Sequence, residues 1–267
     1  MKSVKQCPKC SFKKVYSLRR RKSRCAQCKY EWNPHRLPLY LSRKNWVKIL
    51  RWFLRGLSSQ AVSYETGINR WRILRALTQV RRIMIQDVPD VFSGTIEIDE
   101  TYIGGQWKNK RKNQKKRQAK RGRGTFKTPV FGILCRGGKI WAKVVADVEA
   151  KTLMPLIRRR VKQGSVICSD TWKSYTGIAA KGYVHRLVEH GKGEYTDKQG
   201  NHINGLEGFW GYLKRRLAAK GGIRKERLPL YLAEYVWRYN HRHLTIKQQL
   251  DKLLKLLYKH KNLKFSG

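Results

Sequence analysis

The segment after residue 42 carries apolar side chains at the spacing of buried helix faces. The helical spacing begins at Ser42, and a Gly56-Leu-Ser-Ser break ends this first helix and recaps a new one. Ser58 then caps a second helix, which ends at Gly67. The apolar positions of the first helix lie three or four residues apart, at Trp46, Ile49, Leu50, Phe53 and Leu54.

A third helix, with a basic face, follows a short turn. Asn69 caps this helix, which runs from Arg70 to about residue 82. Two helices joined by a short turn with a glycine are typical of the helix-turn-helix, whose second helix enters the major groove of DNA. A purely structural three-helix bundle is the alternative. The residues expected to face bases or phosphates are Arg70, Arg72, Arg75 and Gln79.

The pattern changes to strict alternation at Thr95–Ile103, where isoleucines alternate with Glu97 and Asp99. Successive side chains of a strand point to opposite faces of a sheet, so the two carboxylates share one face. Asp99 is the better ligand candidate because it lies nearer the strand's end. Two apolar segments around a Gly137-Gly138 turn predict a β-hairpin that extends this strand into an antiparallel sheet.

A helix over residues 151–162 and a short buried strand over residues 165–169 come next. This strand delivers Asp170 at its carboxyl end, the usual place for function in an α/β sheet. The order of strands and helices therefore predicts an α/β fold with a mixed sheet and flanking helices.

The last chemistry-bearing segment is a helix with one polar and one apolar side. Glu207 lies three residues after Asn204, and Lys214 lies seven residues after Glu207. This spacing places all three on one stripe of the helix. The apolar side is Phe209, Leu213 and Leu217, and these residues are expected in the core. A metal-binding carboxylate would thus have cations along the same helix, at Lys214 and the neighbouring Arg215, for a phosphate.

The net charge of the chain indicates the class of its binding partner. The 267 residues include 61 Lys and Arg but only 17 Asp and Glu, which gives a net charge of +44. Such an excess over the whole chain favours an extended polyanion, which is nucleic acid. The sequence has no signal peptide and no apolar stretch of about 20 residues, so no membrane partner is expected and the protein is expected in the cytoplasm, at the nucleoid.

The basic residues are densest between Gln106 and Lys127, where almost nothing is apolar. We expect this segment to be a disordered loop until DNA phosphates neutralise it. Its candidate DNA-binding residues are Lys108, Lys110, Arg111, Lys112, Lys115, Lys116, Arg117, Lys120, Arg121 and Arg123.

Four cysteines near the N-terminus have the spacing of a zinc site. Cys7 and Cys10 form one Cys-x-x-Cys pair, Cys25 and Cys28 form another, and 14 residues separate the pairs. This spacing is close to that of a four-thiolate zinc ribbon, in which structural Zn²⁺ supplies the folding energy of a module too small to fold alone. Two disulfides are the alternative, which a reducing compartment disfavours.

Three carboxylates stand in ordered-looking, apolar-flanked segments of this basic chain, namely Asp99, Asp170 and Glu207. Phosphodiesters resist attack by nucleophiles, and two divalent ions can activate water on one side and stabilise the leaving oxygen on the other. Hard oxygen ligands without a histidine cage fit two Mg²⁺ ions, or Mn²⁺ in their place. The pattern points to metal-dependent cleavage and joining of DNA.

The order of strand aspartate, strand aspartate and helix glutamate with a lysine seven positions on resembles DDE-type insertion-sequence transposases. The subgroup with an N-terminal zinc ribbon, often called ISXO-like, is similar in four segments: Ile98-Asp-Glu-Thr-Tyr-Ile-Gly-Gly105, Ser169-Asp-Thr-Trp-Lys-Ser-Tyr175, His202-Ile-Asn-Gly-Leu-Glu-Gly-Phe-Trp-Gly-Tyr-Leu-Lys214 and Tyr239-Asn-His-Arg242. The resemblance implies a ribonuclease-H-like catalytic fold with Asp99 and Asp170 as the first two ligands. The third is Glu207 or, because that subgroup has either Asn or an acid there, Asn204.

The expected organisation is a zinc ribbon over residues 1–40, a helix-turn-helix module over 41–90 and a ribonuclease-H-like catalytic domain over 91–267. The expected function is that of a transposase, which binds its element's ends and target DNA as a homo-oligomer. Two alternatives stay open, a ribonuclease-H-like nuclease such as a junction resolvase, and a zinc-dependent DNA-binding regulator without catalysis.

Overall fold

The structure is a computed structural model that describes residues 6–19, 22–33, 37–104, 127–170, 177–188 and 203–260. The chain divides into two compact units, of which the first comprises residues 1–83 with 244–267 and the second residues 84–243. Residues after 243 thus group with the N-terminal ones, and the predicted zinc ribbon, helix-turn-helix and catalytic domains stay predictions. No helix in the described part of the chain is both long and apolar enough to cross a membrane.

The described regular elements follow in chain order. The strands are β1 (Val15–Leu18), β2 (Lys22–Cys25), β3 (Glu31–Trp32), β4 (Thr95–Ile103), β5 (Thr128–Cys135), β6 (Ile140–Val144), β7 (Val166–Ser169) and β8 (Val184–Leu187). The helices are α1 (Arg43–Leu54), α2 (Ser59–Thr66), α3 (Arg70–Met84), α4 (Ala150–Arg160), α5 (Asn204–Ala218), α6 (Leu228–Asn240) and α7 (Ile246–Lys259).

The first unit contains a small antiparallel sheet and the helices α1, α2, α3 and α7. The strands of the sheet lie in the order β1-β2-β3, and Val15 pairs with Cys25 across the first two. A hairpin thus lies between the two cysteine pairs. α1 packs against both α2 and α7, a long-range contact that joins the C-terminal helix to this unit.

Side-chain caps and a glycine mark the helix ends in this unit. Ser42 and Ser58 each accept a hydrogen bond from the backbone N–H three residues on, at 3.1 and 3.2 Å. Gly67 ends α2 with a φ of +66°, a left-handed conformation that glycine adopts without strain. Asn69 Oδ1 accepts from the backbone N–H of Trp71 at 2.9 Å. Local chemistry therefore fixes where α1, α2 and α3 begin.

The second unit is built on a five-stranded mixed sheet. Its strand order is β6-β5-β4-β7-β8, with antiparallel pairing from β6 to β4 and parallel pairing from β4 to β8. The predicted hairpin, its extension of the first strand, and the short strand that ends before Asp170 are confirmed. The parallel pairing of β4 with β7 brings the carboxyl ends of two sequence-distant strands side by side.

Helices cover both faces of this sheet. On one face, Ile96 and Ile98 of β4 pack in a core with Leu153 and Ile157 of α4. On the other face, apolar residues of β5 pack in a second core with α5 and α6, including Leu206, Phe209, Trp210 and Leu213. The alternation of β4 therefore turns Glu97 and Asp99 toward the face that α5 covers.

α6 closes the open edge of the sheet with a side-chain amide. Asn240 Oδ1 accepts from the backbone N–H of Ile140 at 2.8 Å, and its Nδ2 donates to the carbonyl of the same residue at 2.8 Å. Asn240 is buried, so the amide takes the place of a neighbouring strand where water does not reach.

Replacement of Asn240 by alanine leaves the N–H and the carbonyl of Ile140 buried without partners. We expect Asn240→Ala to lower the free energy of unfolding by about 2 to 6 kcal/mol, from roughly 1 to 3 kcal/mol for each of the two unsatisfied groups. Asn204→Ala is the matched control, because Asn204 is exposed on the same unit and should change stability by less than about 0.5 kcal/mol. Urea unfolding measures both, and equal effects would contradict the edge-closing role.

Candidate functional site

Asp99 and Asp170 lie at corresponding positions on neighbouring strands. β4 and β7 are parallel, and Glu97 pairs with Cys168, so the positions two residues further on are 99 and 170. Asp99 is still within β4, and Asp170 directly follows the last residue of β7. The register thus places the two predicted strand carboxylates side by side at the carboxyl ends of their strands.

The surroundings of Asp99 disfavour its charged form. The pKa of Asp99 is raised to about 7, first by burial and then by the charge of the nearby Glu100 carboxylate. The charge of Asp170 adds to this repulsion. Hydrogen bonds from the backbone of Glu100 and from Trp210 act in the opposite direction. A divalent cation between the strand ends would favour the charged form and offset the repulsion, which is the electrostatic condition that a carboxylate metal site fulfils.

Trp210 of α5 is a hydrogen-bond donor to Asp99 from the helix that covers this face of the sheet. Its indole Nε1–H donates to Asp99 Oδ2 at 2.9 Å. Gly132 is the residue that pairs with Asp99 on β5, and a Cβ atom at Gly132 would come within 2.6 Å of Trp210 Cζ2. The missing side chain at Gly132 therefore lets the indole lie against the sheet close enough to reach the carboxylate.

Glu97 fixes the beginning of α5 on the same face. Its carboxylate is fully buried and accepts from the backbone N–H of Leu206 at 2.9 Å and from Arg136 Nε at 3.2 Å. A negative charge at a helix N-terminus is favourable because the first N–H groups have no partner within the helix. A Cβ atom at Gly205 would lie 2.7 Å from Leu134 Cδ2 and 3.0 Å from Glu97 Oε2, so a glycine permits this approach.

The predicted third ligand lies on α5, where Asn204, Glu207 and Lys214 are all exposed. With about 100° between successive helix positions, Glu207 projects about 60° from Trp210 around the helix axis and Asn204 about 120°. Lys214 projects about 40° from Trp210 on the same side of the helix as Glu207, about two turns further along. Since Trp210 faces Asp99, the helix presents Glu207 nearer to the strand carboxylates than Asn204.

The structure does not bring the three acids into one compact cluster. Among the described residues, the only group of three or more Cys, His, Asp or Glu side chains close enough to hold a metal ion is that of the four N-terminal cysteines. The charges of Asp99 and Asp170 are close enough to interact, and the side chain of Glu207 is exposed on α5. Its role as a third ligand therefore stays a prediction.

The four cysteines converge as their spacing predicts. The Sγ atoms of Cys7, Cys10, Cys25 and Cys28 all lie within 4.8 Å of one another. Three of the separations are 3.5 to 3.6 Å, far longer than a disulfide bond of about 2.05 Å. A tetrahedral zinc ion with bonds of about 2.3 Å requires sulfur–sulfur edges of about 3.8 Å. The cluster could therefore hold a metal ion with small adjustments.

The predicted DNA-binding residues fall into three groups. Arg70, Arg72 and Arg75 are exposed on α3, and Gln79 is partly exposed. The Arg72 guanidinium also donates to the carbonyl of Leu39 at 3.4 Å. Lys214 and Arg215 are exposed on α5. The basic residues between Lys108 and Arg123 lie outside the described part of the chain.

Several residues that shape the site were not singled out from the sequence. They are Trp210 as the partner of Asp99, Gly132 and Gly205 as points of close approach, and Arg136 as the partner of Glu97. The signal that could have found Trp210 is its position three residues after Glu207, on the edge between the polar and apolar faces of α5. The other contacts join residues far apart in sequence.

Comparison with known proteins gives one family. Residues 91–240, more than half of the chain, match the model of the ISXO2-like transposase domain. An uncharacterized transposase-like protein of Haemophilus influenzae is 36% identical over 119 residues, which cover 45% of this chain and 94% of that protein. An uncharacterized protein in transposable element ISH50 of Halobacterium salinarum is 29% identical over 186 residues, 66% of this chain and 60% of that protein.

A chain in the solved structure of the simian T-cell lymphotropic virus intasome in complex with PP2A regulatory subunit B56 gamma is 14% identical. The match covers 73% of this chain and 68% of that chain, at a TM-score of 0.34, which does not establish a shared fold. The sequence matches over residues 91–240 and to the transposase-like relative are sufficient by themselves, and the chain belongs to the ISXO2-like transposase family.

Proposed function

We propose that this transposase is a DDE-type enzyme that binds the ends of its insertion sequence and catalyses Mg²⁺-dependent strand cleavage and strand transfer. The observation that carries the proposal is the pair Asp99 and Asp170, side by side at the ends of adjacent parallel strands. The mixed five-stranded sheet with helices on both faces supports a ribonuclease-H-like catalytic domain.

Asp99, Asp170 and Glu207 would hold two Mg²⁺ ions, or Mn²⁺, through hard oxygen atoms. Bound there, the ions would activate the attacking hydroxyl and stabilise the leaving oxygen of the phosphodiester. The protein's own contribution is to fix the ligands. Trp210 occupies one lone pair of Asp99 Oδ2 and thereby orients that carboxylate, while Lys214, on the exposed side of α5, would neutralise a phosphate.

DNA binding is proposed for the arginines of α3 as a helix-turn-helix, for Lys214 and Arg215, and for the basic segment between Lys108 and Arg123. The net charge of +44 supports this assignment, because each neutralised phosphate releases counterions. Joining two element ends requires more than one active site, so a homo-oligomer on DNA is proposed as the working form.

Structural Zn²⁺ is proposed for the cluster of Cys7, Cys10, Cys25 and Cys28. The backbone N–H groups of Lys9 and Cys28 point at Cys7 Sγ and Cys25 Sγ at 3.3 and 3.5 Å, as donors to metal-bound sulfur atoms do.

Loss of one thiolate should remove the zinc. We expect the Cys10→Ser protein to lose close to one equivalent of zinc per chain, measured by elemental analysis of the purified protein, and to unfold its first unit at lower temperature. Cys135→Ser is the matched control, because this cysteine lies apart from the cluster on β5. Equal zinc content in the two variants would contradict the four-thiolate site.

Loss of either strand carboxylate should abolish cleavage but not binding. We expect Asp99→Asn and Asp170→Asn to lower Mg²⁺-dependent cleavage of element ends at least about a hundredfold, because the metals supply several kcal/mol of transition-state stabilisation. DNA affinity in a gel-shift assay should be unchanged or slightly higher, since a negative charge is lost. Glu149→Gln, an exposed acid of the same unit, is the control that keeps activity.

The same assay assigns the third ligand and the substrate. Glu207→Gln should behave as the strand variants do, and Asn204→Ala should retain most activity; the reverse result would transfer the role to Asn204. Equal cleavage of four-way junctions and element ends would favour a resolvase, and full cleavage by Asp170→Asn would remove the enzymatic proposal.

Trp210→Phe tests how Asp99 is oriented. This change keeps an aromatic ring against Gly132 but removes the donor, so the Mg²⁺ concentration for half-maximal cleavage should rise several-fold. Thermal stabilisation by Mg²⁺ without DNA should weaken in parallel. Trp237→Phe is the matched control, because it breaks a similar indole bond of 2.8 Å to Asp87. If Trp237→Phe raised the Mg²⁺ requirement equally, a general loss of stability would explain both.

A further inference from the structure

The outward face of α3 carries a large apolar side chain among arginines. Ile73, Leu77 and Val80 form the buried face of the helix. Trp71 and Arg75, four residues apart, lie on the opposite face, and Arg82 continues that stripe seven residues further on. The centre of the exposed face near the beginning of α3 is thus Trp71 and not one of the arginines that the sequence indicated.

Trp71 is 75% exposed, and Tyr64 on the preceding helix is 87% exposed. A covered aromatic side chain buries about 150–250 Å², so a tryptophan left exposed forgoes a large apolar stabilisation. Helices of the same unit bury other aromatic residues completely, as Trp46 shows. An exposed aromatic residue next to arginines is typical of a binding surface, because aromatic residues and arginine dominate binding contacts.

The charge of the surroundings selects the partner. Arg70, Arg72 and Arg75 are exposed within five residues of Trp71, and α3 has no acidic residue. A polyanion complements this surface, and a basic protein surface, including a second copy of this chain, does not. In a helix-turn-helix, the N-terminal residues of the second helix contact base edges in the major groove. Trp71 is the second residue of α3 and so holds such a position.

We propose that Trp71 reads thymine methyl groups in the major groove, an inference that rests on the proposed binding of element ends. Base edges in the major groove offer hydrogen-bonding groups and one apolar group, the thymine methyl. The indole has a single donor, no acceptor and a large apolar face, so the methyl is the group that it can distinguish best. Arg72 and Arg75 neutralise phosphates on either side, which adds affinity without sequence information.

Replacement of thymine by uracil removes only this methyl group and tests the proposal. Binding of the full-length protein is measured on duplexes that carry the sequences flanking its gene, made with thymine or with uracil. Wild-type affinity should fall about fourfold for each methyl in contact. Trp71→Ala should bind the thymine duplex more weakly and lose the difference between the two duplexes. Its salt dependence should match that of wild type, since no cation is lost.

Arg75→Ala is the matched control on the same face. It should keep the preference for thymine over uracil while the slope of log affinity against log salt falls by about 0.9. Folding of Trp71→Ala is expected to be normal because the side chain is exposed, and thermal unfolding verifies it. A thymine preference that is equal in wild type and Trp71→Ala overturns the inference. So does a change of oligomeric state in Trp71→Ala with that preference intact, which would assign Trp71 to a protein contact. If wild type does not distinguish these duplexes from unrelated DNA, the proposed function itself fails.

Discussion

The attachment of α5 to β4 is the constraint on which the site depends. Two carboxylates of one strand hold one helix: Glu97 accepts from the backbone N–H of Leu206, and Asp99 accepts from the indole of Trp210. The first bond sets where the helix begins and the second sets its rotation. Because both carboxylates belong to a single strand face, the strand position and the helix position cannot vary independently. Glu207 and Lys214 lie on the same helix, so these two contacts also fix their positions relative to β4.

Close approach at this contact depends on the absence of two side chains. Any Cβ at Gly132 would collide with the Trp210 ring, and any Cβ at Gly205 would collide with Leu134. The glycines are needed here for space and not for a special backbone conformation, since neither has a positive φ. The apolar contacts of α5 bring the helix to the sheet, and the two glycines let it approach closely enough to form these hydrogen bonds.

Local sequence patterns were sufficient to predict most helices and strands, but not the contacts between residues far apart in sequence. The serine that begins α2, the end of that helix at Gly67, the alternation of β4 and the two cysteine pairs are each decided within a few residues, and the structure confirms them. The pairing of Asn240 with Ile140 spans 100 residues, and that of Asp99 with Trp210 spans 111. No local period contains such information. Thus Asp99 and Asp170 were predictable as candidates, whereas the residues that orient them were not.

The distribution of the few acids argues for a cation at the strand ends. Glu31, Glu97 and Glu234 each have an arginine partner, as a chain with 61 basic residues readily provides. Asp99 instead has an indole as its hydrogen-bond donor and two other carboxylates, Glu100 and Asp170, as charged neighbours. Repulsion of this kind costs free energy in the isolated protein. The metal ion proposed at this position would remove that cost; an arginine in the same place would also remove it, but would occupy the position proposed for the metal.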